Sequence, residues 1–278
     1  MTHYRSRFLL SCLVFGFSFL YIPILTLITY SFSAATTPQT WTTFSLYWYK
    51  TLFHNTSVMK ALILSLKISC LSATIAIFIG TIGAIVMVRF KSFKSRGFFN
   101  AIVTAPLVMP DVMVGLSLLL FFVMLQQAIG WPEKGLTTIT IGHITITIAY
   151  VLIIIRSRLS ECDPNLEQAA MDLGARPFKA FMQITLPQLY PSIGAGWLLA
   201  FTISFDDVIL ASFLSGPGTT TLPMYVFSSI RFGVTPEINA LASLIVFIVA
   251  TGVIISGFFM LYFTQETWEY KKRLSKPS

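Results

Sequence analysis

The sequence predicts an all-α integral membrane protein with six transmembrane helices and both termini in the cytoplasm. Three observations carry this. Of 278 residues, 55% are hydrophobic and only 11% are charged, about half the charge of an ordinary soluble domain. The apolar residues fall into six segments, roughly 8–30, 57–88, 100–127, 136–155, 191–213 and 239–264, and about 20 residues suffice to cross the hydrocarbon of a bilayer. Fourteen of the 19 basic residues cluster at the N-terminus, around 89–96, around 156–179 and near the C-terminus. Those four places lie on one side of a six-span bundle, and the positive-inside bias makes that side the cytoplasm. The same clustering explains the net charge of +8 by topology, so no nucleic-acid partner is implied.

Taken in order, the first segment follows Arg5 and Arg7 and outruns the apolar stretch of a secretory signal. It reads as a retained span rather than a cleaved leader. The second is too long for a single crossing, at about 1.5 Å per residue. Lys67 then falls at the outer interface and the residues before it project beyond the bilayer. Pro106 and Pro110 interrupt the third, and such breaks are tolerated where the backbone faces protein or a water-lined cavity. Outside the membrane, Trp41, Tyr47, Trp48 and Tyr49 suit the interface. Ser215-Gly216-Pro217-Gly218 reads as a turn, and Leu222 to Arg231 as a short helix. The chain reads as a single transmembrane domain over 1–278, with no internal repeat. Cys12, Cys70 and Cys162 have neither disulfide nor metal spacing and read as small buried residues. His54 and His143 read as isolated polar fillers, and no metal site or cofactor is implied.

The loop 156–190 carries a built motif. Asp163-Pro164 is a helix start, with an acid at the cap and proline at the first position. Leu166, Ala169, Ala170 and Leu173 then share one helical face. Gly174 stops that helix, Arg176-Pro177 opens a second from Phe178 to about Ile184, and Leu186-Pro187 closes it before the fifth span. The result is an elbow whose apolar face awaits either its own bundle or a cytosolic partner.

Three acids lie inside apolar spans: Asp111, Asp206 and Asp207. Each costs about 2.5–3.5 kcal/mol at mid-helix on insertion scales, which argues for a polar pathway or for partners. No Lys or Arg lies at a matching depth, so a cationic solute is a natural counter-charge. Neighbouring residues stand about 100° apart on a helix, so Asp206 and Asp207 are not expected to face one pore together. One of them holds backbone or a neighbouring helix instead. Tyr225 and Phe227 are candidates for an outer gate. No phosphate-binding Gly-x4-Gly-Lys-Ser/Thr loop occurs, so the chain is not read as an ATPase or any other enzyme.

The elbow pattern Ala169-Ala170-x3-Gly174-x9-Ile184-x-Leu186-Pro187 resembles the signature loop of the permease subunits of binding-protein-dependent ABC importers. Gln168 stands where that signature has Glu, although Glu167 precedes it. The motifs Ala105-Pro106-Leu107-Val108-Met109-Pro110-Asp111, Ser204-Phe205-Asp206-Asp207, Thr221-Leu222-Pro223 and Pro236-Glu237-Ile238-Asn239-Ala240 look like the polyamine branch of these permeases, the one importing putrescine or spermidine. The resemblance implies a type I importer fold in a bacterial inner membrane. It also implies a sister permease, two ATPase subunits seated on such elbows, and a periplasmic polyamine-binding protein. Glu167, Gln168, Ala169, Ala170, Gly174, Ile184, Leu186 and Pro187 would then couple the chain to the ATPase. Other solutes within the same family are an alternative. So is a stand-alone cation transporter or channel that uses the three acids, although the elbow speaks against it.

Overall fold

Long apolar runs make the long helices, and the chain leaves the helical region at Met109, before Pro110, and at Asp207. The computed structural model describes residues 2–38, 40–90, 94–233, 235–252 and 254. In chain order the helices are α1 (Thr2–Ser31), α2 (Tyr47–His54), α3 (Thr56–Arg89), α4 (Arg96–Val108), α5 (Asp111–Ile129), α6 (Leu136–Glu161), α7 (Pro164–Asp172) and α8 (Pro177–Ala180). They continue with a π-helical turn (Phe181–Thr185), α9 (Leu186–Asp206), α10 (Ile209–Leu214), α11 (Leu222–Phe232) and α12 (Pro236–Gly252). The only β pairing among the described residues is an isolated bridge between Ser33 and Phe44.

Among the described residues, four helices are long and apolar enough to cross a membrane: Arg7–Ser31, Thr56–Arg89, Asp111–Ile129 and Leu136–Glu161. The expected spans 100–127 and 191–213 are each broken. Pro110 forces Met109 out of the helical region (ψ 137°), so α4 ends at Val108 and α5 begins at Asp111. The other break follows Asp206. The expected sixth span begins in α12, and part of it lies outside the described residues.

The described residues divide into two compact units. The first joins the N-terminal segment to residue 56 with the chain from 229 onward. Within it the Tyr49 hydroxyl lies 2.7 Å from Ser31 Oγ and donates to Ser243 Oγ at 3.1 Å. Asn55 donates to Glu237 at 2.9 Å and Asn239 to the Pro38 carbonyl at 3.1 Å. The face of α1 stays bare, with Phe8, Phe15 and Phe19 exposed, a surface for lipid or an apolar partner rather than water.

The second unit, residues 57–228, is built around α6. Its threonines bond to their own helix, Thr140 to the Leu136 carbonyl and Thr147 to that of His143, both at 2.7 Å. A threonine-rich helix is thereby satisfied in an apolar interior. On α3 the buried positions are small, among them Ser65, Ser69, Ser72, Ala76, Gly80 and Ala84. Small residues let helix backbones come close. Ala73, Ala76 and Ala84 of α3 form one core cluster with Val151, Leu152 and Ile155 of α6 and Ala200 of α9.

A Cβ at Gly80 would stand 2.6 Å from Val151 Cγ1 and 3.3 Å from the Leu152 backbone nitrogen. Gly80→Ala is therefore expected to cost about 1–3 kcal/mol by overpacking, more than the helix propensity of about 1 kcal/mol returns. Melting of the purified protein in detergent checks this. Gly194→Ala, where a Cβ meets nothing within 4 Å, should melt no lower than the parent.

The cysteine expectation is corrected. Cys12 and Cys70 are exposed on the chain's surface and Cys162 is partly exposed. On α3 the inward positions are taken by the packed stripe, and on α1 the stretch around Cys12 is exposed.

Candidate functional site

The two helix breaks meet at one cavity. It has a volume of about 340 Å³, and Asp111, His143, Tyr150, Asp206 and Asp207 are among the residues that line it. Asp111 starts α5, where a negative side chain faces the positive end of the helix. Asp206 ends α9, and Asp207 is extended (φ −68°, ψ 128°). The helical spacing that separates neighbours by about 100° does not apply across this break, so both acids reach the cavity. The expectation that they would not share it is corrected on that ground.

The three acids are not equivalent. Asp207 caps α10, its Oδ2 accepting from the Ala211 amide at 2.8 Å and its Oδ1 from the Leu210 amide at 3.3 Å. The same carboxylate lies 3.2 Å from His143 Nε2. His143 is 3% exposed, and its Nδ1 lies 2.7 Å from Ser204 Oγ. His143 is therefore no isolated filler. It ties α6 to both sides of the break, and its role was hidden because residues 61 and 64 positions away supply its partners. Asp111 and Asp206 are exposed, and among the described residues neither forms an ion pair or accepts from another side chain. Along α9, Trp197, Phe201 and Phe205 stack with centroids 5.4 and 5.7 Å apart, a row that ends beside Asp206.

Tyr225 and Phe227 do not line this cavity. Both lie on α11. Tyr225 lines a separate cavity with Lys60 and Lys67, and Phe227 is exposed.

The elbow takes the expected form in its first arm. Asp163 caps α7 by accepting from the Asn165 amide at 2.9 Å, and Gly174 turns the chain with φ 91°. Leu173 is 91% and Phe178 71% exposed, and Leu166 is exposed with them. Ala169 belongs to this open face, whereas Ala170 is half-buried. The second arm departs from expectation. Leu186-Pro187 does not end it; α8 runs through the π turn into α9, with Leu186 and its neighbours helical. Pro187 lacks an amide and crowds the carbonyl one turn back, and the wider π turn just before it leaves room for that ring. One helical rod thus leads from Pro177 at the elbow to Asp206 at the cavity. Gln168 and Pro187 are exposed, Ile184 and Leu186 half-buried, and Glu167 is turned inward against Arg89.

Residues 75–269 match the family described as binding-protein-dependent transport system inner membrane component. The chain is 52% identical over 259 residues to the putrescine transport system permease protein PotI of Escherichia coli strain K12, covering 93% of this chain and 91% of that one. With the spermidine/putrescine transport system permease protein PotC of the same strain it shares 35% identity over 240 residues, 86% and 89% of the two chains. Among solved structures, a bacterial ABC transporter involved in the import of the acidic polysaccharide alginate superposes with a TM-score of 0.68 at 14% identity, covering 95% of this chain and 98% of that one. The alginate transporter in complex with its alginate-bound periplasmic protein gives 0.69 at 18% identity over 90% and 91%. At those identities the likeness is one of fold.

Proposed function

The chain belongs to the family of binding-protein-dependent transport system inner membrane components, and from that premise we propose that it is a permease subunit of an ATP-driven importer of polyamines such as putrescine or spermidine. The observation that carries the solute class is the meeting of Asp111 and Asp206 at one cavity, both without a cationic partner among the described residues. Two unpaired carboxylates in an apolar bundle are costly, and a linear diammonium neutralises both at once. Relatives named for putrescine and spermidine transport support the same reading. Tyr150, which lines the same cavity, adds a ring face on which an ammonium group can rest. Asp207, saturated by two amides and His143, shapes the break rather than meeting solute.

In this reading the chain crosses a bacterial inner membrane six times with both termini in the cytoplasm. It pairs with a sister permease around the pathway, and a periplasmic polyamine-binding protein delivers solute from outside. Two ATPase subunits sit below on the paired elbows. Here Gln168, Ala169, Ala170 and Gly174 form the seat, while Ile184, Leu186 and Pro187 carry its motion into α9. The rod from Pro177 to Asp206 spans about 45 Å at 1.5 Å per residue. Displacement at the elbow therefore reaches the cavity along one continuous helical path, whose least regular part is the π turn. ATP binding acts by favouring one of two bundle states, as any ligand shifts an equilibrium. Tyr225 and Phe227 contribute, at most, on the outer side and away from the acids.

Reconstitution tests this. Vesicles holding the chain with its sister permease and ATPase pair should take up labelled putrescine only when both ATP and a loaded receptor are present. Uptake by vesicles holding this chain alone would favour an autonomous cation transporter and overturn the reading.

A further inference from the structure

Arg89 is the last residue of α3, and it reaches two parts of the elbow at once. Its Nη2 donates to Glu167 Oε1 on α7, and its guanidinium carbon lies 5.2 Å from the centroid of the Phe181 ring in the π turn. Glu167 Oε1 also accepts from the buried hydroxyl of Thr185. One carboxylate oxygen thus joins the end of α3, the first arm of the elbow and the root of the helix that becomes α9. The Glu167 side chain is 14% exposed, on the side of α7 away from the open face of Leu166 and Leu173.

We propose that the Arg89–Glu167 pair is the transmission link between the elbow and α3, and that Glu167 is an internal anchor rather than a contact for the ATPase. The inference rests on the reading of the elbow as the ATPase seat. Its physical reason is mechanical. The elbow continues directly into α9, but among the described residues its bonds to α3 run through the Arg89 side chain. Farther along, α3, α6 and α9 share one core cluster through Ala76, Val151 and Ala200. With the latch closed, a push on the elbow enters that cluster through α9 and α3 together and moves it as a body. With the latch open, the push enters through α9 alone and is spent on bending the rod at the π turn, the least regular part of its length.

The test uses the complete importer in vesicles and reads ATP hydrolysed per solute moved, together with the amount of ATPase subunit retained on purification. Glu167→Gln and Arg89→Ala should each retain the ATPase while raising the ATP used per solute at least fivefold. The exchanged pair R89E/E167R should bring that ratio back to within about threefold of the parent, less than fully because each charge then faces the unfavourable end of its helix. Arg89→Lys, the mildest change, should fall between. Unchanged ratios in the single variants, or an exchange no better than the worse single, would overturn the proposal. Loss of the ATPase from Glu167→Gln would do so too, by placing the carboxylate in the docking surface. A parent complex that binds no ATPase would instead overturn the functional reading, and that result is visible before any variant is compared.

Discussion

Asp206→Asn is expected to lower the maximal rate of putrescine uptake about 10- to 100-fold in vesicles supplied with saturating receptor, and Asp111→Asn to do the same. Each change removes one charge-assisted contact to an ammonium group, worth about 1.5–3 kcal/mol, and about 1.4 kcal/mol corresponds to tenfold. Asp207→Asn should behave differently. Its carboxylate bonds to the Leu210 and Ala211 amides and to His143, so the change weakens the cap of α10 by about 1 kcal/mol. The loss appears as less folded protein, while the rate per folded complex stays within about threefold of the parent. Saturating receptor matters because solute affinity at the receptor otherwise masks an effect in the pathway. If Asp207→Asn slowed each folded complex more than Asp206→Asn did, the division of the acids into two contacts and one brace would be wrong.

How far the sequence disclosed this arrangement differs from residue to residue. Asp163-Pro164 and Gly174 act locally, each through its own backbone, so the first arm of the elbow was readable from the twelve consecutive residues 163–174. Pro110 likewise declares its break, because proline restricts the residue before it. The break at Asp207 has no such marker. Val208, Ile209 and Leu210 keep the run apolar, so hydropathy averages straight across, and only the carboxylate folding back onto the amides of α10 ends one helix and starts the next. An acid two residues ahead of a fresh apolar turn is the signal that was there to be used. His143 shows the limit of reading along the chain. Its partners, Ser204 and Asp207, come from another helix, and nothing near residue 143 announces them. The second arm of the elbow misled for the opposite reason. Pro187 is a local breaker by rule, but the π turn beside it absorbs the clash, an accommodation that depends on register rather than on residue type.

Gly174→Val is expected to abolish at least about nine-tenths of uptake while the chain still inserts and purifies in parental amount. Gly174 holds φ 91°, a region that costs an L-residue about 1–3 kcal/mol. A Cβ there meets nothing within 4 Å, so bulk is not the obstacle and the penalty lies in the backbone alone. The chain relieves it by opening the turn, which breaks the bonds from the Gly174 amide to Met171 and from the Ala175 amide to Ala170, now 2.9 and 3.0 Å. Opening the turn changes the angle between α7 and the rod that leads to Asp206, and the seat no longer fits its partner. The bundle itself lies away from this turn, which is why insertion survives. Asparagine at the same position separates the two explanations, since it adds nearly the same bulk but tolerates positive φ. Gly174→Asn should keep most of the uptake, Gly174→Ala should fall between, and receptor-stimulated ATP hydrolysis should follow the same order. If asparagine were as damaging as valine, side-chain volume at the docking surface would be the cause. If valine were harmless, the shape of the turn would have no part in coupling.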